Sequence, residues 1–119
     1  MSFLRRSSAK KRPGSPESDL AAIAQLRQAG ADLTVPHRTR HFIYVPGVLP
    51  AQHLARALKT PERNIDIDTS ARKGYWLVVV GQFMMVQQDT LAALRAEFEA
   101  AAKPFGGQYD SWQVDLAGG

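Results

Sequence analysis

The sequence predicts an α+β domain in which one helix precedes a β-α-β-β-α-β series, and three observations carry that expectation. Short β-branched and aromatic runs are closed by turn residues, as in "HFIYV" (His41 to Val45) before Pro46 and Gly47. Apolar residues at helical spacing fill the stretches between those runs. One more alternating segment, Gln108 to Leu116, follows the last helical stretch. This is the order of a ferredoxin-like split β-α-β domain with an extra N-terminal helix. Right-handed crossovers would place the second and third helices on one side of a four-stranded antiparallel sheet, with the strands from His41 and Gly74 in its centre. The opposite face would then need cover from the first helix, a partner or a second copy of the chain.

Each element has a local reason. Ser18 or Asp19 is placed to cap the first helix, which carries Leu20, Ile23, Ala24 and Leu26 toward a core and ends at Gly30. Pro50 suits the first turn of the second helix, whose Ala51, Leu54, Ala55 and Leu58 share a face. "NIDIDT" from Asn64 alternates, with Ile65 and Ile67 on one face and Asp66 and Asp68 on the other, as an edge strand does. "GYWLVVV" is apolar on both faces, as a central strand is, and Gly81 interrupts it before "QFMMV". The third helix opens near Asp89, sets Leu91, Leu94, Phe98 and Ala101 at helical spacing, and stops at Gly106-Gly107. In the last strand, strict alternation puts Trp112, Val114 and Leu116 on one face and Tyr109, Ser111, Gln113 and Asp115 on the other.

Composition bounds the function. With 119 residues the chain fits one domain, here residues 19–119, behind a tail of residues 1–18. That tail sets Arg5, Arg6, Lys10, Lys11 and Arg12 against Glu17 alone, so it holds the whole net charge of +4, while the remainder balances 10 basic and 10 acidic residues. Its Ser, Pro and Gly content and few apolar residues predict disorder. Those five basic residues are candidate contacts to RNA or an acidic partner, unless the tail is only solvated or a transit sequence. The absence of cysteine excludes disulfides, thiolate metal sites and a cysteine nucleophile. No apolar run approaches the length of a membrane span, so a cytoplasmic protein without membrane contact is expected.

Catalytic equipment is sparse, and no cofactor is nominated. His37, His41 and His53 lack metal-ligand spacing, and Asp66 and Asp68 are explained by the solvent face of an edge strand. Neither "PGVLP" nor "FGGQ" has the context of a phosphate loop, and no nucleophile elbow is present. An RNA-binding domain of the same strand order would stack bases on Phe42, Tyr44, Tyr75 or Trp76, but "KGYWLVVVGQF" departs from the expected pattern after "KGY". A small-molecule sensing domain or a homodimer is the remaining alternative for an open sheet of this kind.

The closing stretch "GGQYDSW", Gly106 to Trp112, carries the most information. Gly106 or Gly107 is suited to the left-handed end of the third helix, Trp112 to filling the core, and Asp110 to hydrogen-bonding the turn. Alternation aims Tyr109 away from Trp112, which leaves Tyr109 and Asp110 open to a partner contact or a plain surface role. The stretch resembles the "GGxYDGW" ending of the RraB family, regulators of ribonuclease E activity. "GADL", "PHRTRHFIYVP", "YWLVVV" and "LAALRAEFEAAAKPFGG" occur in that family's order, so the likeness covers about residues 19 to 116. The resemblance implies a bacterial, non-enzymatic protein that binds ribonuclease E away from its catalytic centre and inhibits or modulates RNA processing, with Tyr109 and Asp110 as contact candidates.

Overall fold

A computed structural model describes residues 15–115. The basic residues Arg5, Arg6, Lys10, Lys11 and Arg12, and Leu116 of the expected last strand, lie outside the described residues. The elements run α1 (Pro16–Gln28), β1 (His37–Val45), α2 (Val48–Leu58), β2 (Arg63–Thr69), β3 (Trp76–Met84), α3 (Gln88–Ala102), a 3₁₀ turn (Lys103–Phe105) and β4 (Gln108–Val114). The strands form one antiparallel sheet in the order β2-β3-β1-β4, so β1 and β3 are central and β2 is an edge, as expected for the ferredoxin-like arrangement.

The first helix begins earlier than the expected cap at Ser18 or Asp19. Ser15 is the N-cap: its hydroxyl accepts from the Ser18 amide at 3.2 Å, while the Ser15 amide donates to the Ser18 hydroxyl at 3.0 Å. Pro16 follows at the first helical position, where its missing N–H costs nothing, and Glu17 complements the helix dipole. The apolar stripe also differs from the expected one. Ile23 and Leu26 are in the core, whereas Leu20 is 52% exposed and Ala24 faces solvent. Asp19, one turn before Ile23, is fully buried instead.

β3 runs through Gly81 to Met84 without interruption, because Gly81 pairs regularly with Arg40 on one side and Asn64 on the other. The sheet face bearing His41, Ile43, Val45, Val78 and Val80 is sealed by the helices: Ala51, Leu54 and Leu58 come from α2, and Leu91, Leu94, Phe98 and Ala102 from α3. Helix α1 lies on this same side, since Asp19 bonds Arg95 of α3 and Trp112 of β4. It therefore does not cover the opposite face, correcting one of the options the sequence left open. Buried ring packing of His41 on Phe98, with centroids 5.1 Å apart, fixes α3 over β1.

Candidate functional site

The two glycines after α3 do different jobs. Gly106 takes the left-handed conformation, φ +71°, and ends the 3₁₀ turn with its amide bonded to the Lys103 carbonyl at 3.1 Å. Gly107 is a close-approach position: a Cβ there would lie 2.9 Å from the Ala102 Cβ and 3.2 Å from the Tyr44 carbonyl oxygen. Gly107→Ala should thus destabilise the domain by about 1–3 kcal/mol, read as a lower urea midpoint with unchanged slope. An unaltered midpoint would mean that α3 and β1 do not approach so closely.

β4 leaves this turn with a β-bulge. Phe42 pairs with Ser111 and Ile43 with Tyr109, so Asp110 is the extra residue between them. That one-residue insertion turns Tyr109 to the same face as Trp112, and the strict alternation expected between them fails. The Tyr109 ring lies against Phe98 and His41, with centroids 6.1 and 6.2 Å away. Burial, reinforced by the negative charge of Asp19, pushes its phenol well above the ordinary range and keeps it a donor.

A hydrogen-bond chain follows from that proton. Thr39 spends its hydroxyl proton on the Gln82 carbonyl at 2.9 Å, so at 3.2 Å its oxygen accepts from His41 Nε2–H. His41 Nδ1 is then the acceptor for Tyr109 Oη, 3.1 Å away. Burial, with the nearby Arg63 charge second, lowers the His41 pKa to about 3, so the imidazole is neutral. Trp112, 5% exposed, donates its indole N–H to Asp19 Oδ1 at 2.8 Å, and Arg95 holds the other carboxylate oxygen. Tyr109 and Trp112 thus tie β4 to the interior.

The opposite sheet face presents different chemistry. Arg38, Arg40, Phe42 and Tyr44 of β1, Leu77, Val79 and Phe83 of β3, and Asp66 and Asp68 of β2 point to it by register. At its β4 end Arg72, on the β2–β3 loop, sits over the rings of Tyr75 and Tyr44, 4.4 and 5.3 Å from their centroids, and donates to Gln108 at 3.2 Å. Ser70 bonds the Arg72 backbone at both its amide and its carbonyl, which fixes the loop that projects this guanidinium. Arg40 reaches Gln113 at 3.4 Å, and Ser111 donates to Asp110 at 2.9 Å. The arrangement is a mixed aromatic and charged surface.

The family model described as regulator of ribonuclease activity B matches residues 17–114, from the first turn of α1 to the last residue of β4. The chain belongs to the RraB family. No curated protein matches it. An RraB chain is by that description a regulator of ribonuclease activity, and the match spans every described helix and strand.

The other candidate residues of this RraB chain are scattered. His37 bonds the Asp32 carbonyl, His53 stacks on Phe105 and His41 is buried, so the three histidines do not converge. Among the described residues, no group of three His, Asp or Glu side chains could hold a metal ion, and no helix is long and apolar enough to cross a membrane. Of the rings considered for base stacking, Trp76 pairs with Val45 on the helix-covered face, while Phe42 and Tyr44 lie on the other. A shallow groove between α2 and β2, lined by Gln52, Ala55, Arg56, Lys59, Ile65 and Ile67, is open to solvent.

Sequence reasoning missed Asp19 and Arg63. Asp19 lies four and seven residues before Ile23 and Leu26, so helical spacing alone places it on the buried stripe. Arg63 is 8% exposed; its guanidinium grips Glu97 through two bonds of 2.9 Å, meets Gln82 and the Leu58 carbonyl, and lies over Phe98. Its signal is the basic residue that continues the inward-facing phase of Ile65 and Ile67.

Proposed function

We propose that this protein is a non-catalytic, protein-binding regulator of ribonuclease E in the bacterial cytoplasm, inhibiting or modulating RNA processing and decay. The observation that supports this reading is the family match over residues 17–114, which runs from the first turn of α1 to the end of β4. A mixed aromatic and charged sheet face, rather than a catalytic constellation, is consistent with action by contact. Within the closing motif we assign the contact to Asp110, the extra residue of the β4 bulge, together with Arg72, which lies over the rings of Tyr44 and Tyr75. Tyr109 contributes by holding that strand through His41.

The test uses purified full-length protein and ribonuclease E, nuclease-treated, in a binding titration. Asp110→Ala combined with Arg72→Ala should weaken binding about tenfold or more, as loss of a well-packed contact does, without moving the thermal midpoint much. Equal affinity in a folded double variant would remove this contact site. Failure of the unaltered protein to bind would remove ribonuclease E as the partner, and binding lost on nuclease treatment would assign the contact to RNA.

A further inference from the structure

β2 bonds β3 alone, so among the described residues its other side has no strand beside it. The hydrogen bonds of Arg63 show which of its backbone groups face that free side. The Arg63 amide donates to the Thr60 carbonyl at 3.1 Å and the Arg63 carbonyl accepts from Lys59 Nζ at 2.7 Å, so both point away from β3. Gln82, opposite Arg63 in the register, agrees with this phase, since its carbonyl turns toward β1 and accepts the Thr39 hydroxyl at 2.9 Å. Arg63 and Gln82 are therefore a pair without mutual hydrogen bonds, and in an antiparallel ladder such pairs alternate with bonded ones. Asn64, Asp66 and Asp68 bond β3, while the amides and carbonyls of Ile65 and Ile67 point out along the free edge, where no described residue pairs with them.

The side chains of the same two residues form the floor of the groove beside α2. Ile65, Ile67 and Ala55 are half-buried there, exposed Arg56 and Lys59 stand on the rim, and no acidic side chain lines it. We propose that this edge takes an extended, acidic partner segment as an added strand. Its apolar side chains at alternate positions lie on Ile65, Ile67 and Ala55, and a carboxylate on the same face of the segment meets Arg56. Backbone and side chains select one occupant: the unpaired amides and carbonyls call for a strand, the apolar floor for alternation, and the cationic rim for negative charge. Asp66 and Asp68 occupy the other face of β2, so the residues between the apolar ones are uncharged, because like charges directly opposite each other destabilise a strand pair. The same aspartates disfavour a second copy of the chain. An antiparallel register that sets Ile65 or Ile67 against Ile67 of a copy would put Asp66 opposite Asp66 or Asp68. The groove shares no residue with the contact assigned to Asp110 and Arg72, and the inference stands whichever ribonuclease the protein regulates.

The test titrates isotope-enriched full-length protein with the peptide acetyl-Glu-Thr-Val-Thr-Val-Thr-Glu-amide, whose Glu and Val residues fall on one face of a strand and whose Thr residues fall on the other. Amide exchange at Ile65 and Ile67 should slow about tenfold with peptide at about ten times its Kd, while Asn64 and Asp66, already bonded to β3, keep their rates. The signals of Ala55 and Arg56 should shift, and those of Phe42 and Val79 on the far face should not. Arg56→Glu, a change at an exposed position, should weaken binding about fivefold or more, as should a peptide with Lys in place of Glu. Equal affinity for the two peptides, or for one N-methylated throughout, would overturn the proposal. No shift with millimolar peptide would do the same. Protection of Ile65 and Ile67 that grows with protein concentration in the absence of peptide would give the edge to a second copy of the chain and likewise overturn it.

Discussion

Asp19→Ala should lower the unfolding free energy by about 3–5 kcal/mol, a large part of what a domain of this size possesses. The carboxylate is fully buried, and each of its oxygens has a specific donor: the Trp112 indole N–H at 2.8 Å and the Arg95 guanidinium. Removing it leaves a guanidinium that is only 8% exposed facing a void, and an indole N–H without an acceptor. The penalty is thus the uncompensated buried charge more than the lost attraction. Replacing both partners, Asp19→Leu with Arg95→Met, should recover much of the loss, because apolar groups of similar volume carry no such charge. Trp112→Ala should cost a comparable amount by a different route, the cavity left in the core. Urea unfolding of the three variants, beside the unaltered protein, gives the comparison. An Asp19→Ala midpoint equal to the unaltered protein's would show that α1 is not clamped this way.

Acidification should destabilise the domain well before its carboxylates titrate. His41 is held near 3 in the folded protein against about 6.5 for an unperturbed histidine. Between those values the unfolded chain binds a proton that the folded one refuses, so stability falls as pH drops through 6.5 and continues to fall toward 3. The slope approaches about 1.4 kcal/mol per pH unit, and the whole interval amounts to about 4–5 kcal/mol. The window between about pH 6.5 and 5 is diagnostic, because ordinary carboxylates remain ionised there. His41→Phe with Tyr109→Phe keeps two rings against Phe98 and removes both ends of the hydrogen bond. In that double variant the decline above pH 5 should flatten. A flat profile in the unaltered protein over the same window would contradict the buried neutral histidine.

The sequence by itself determined the order of helices and strands, the edge position of β2 and the central position of β3. These are legible because they rest on periodicity within a segment: Ile65 and Ile67 alternate with two aspartates, and Leu91, Leu94 and Phe98 recur at one helical face. The family was legible too, since "GGQYDSW" is a local string. Tertiary structure decided what those residues do. Tyr109 faces the core because Asp110 bulges against β1, and a bulge is set by the register of two strands that lie far apart in the chain. Asp19 is an anchor because Arg95 and Trp112, 76 and 93 residues away, converge on it. Local pattern scores an aspartate at a helix start as a cap, and only the approach of α3 and β4 converts it into a buried acceptor. The split between Gly106 and Gly107 has the same origin: the first answers to its own backbone angle, the second to the closeness of Ala102 and Tyr44.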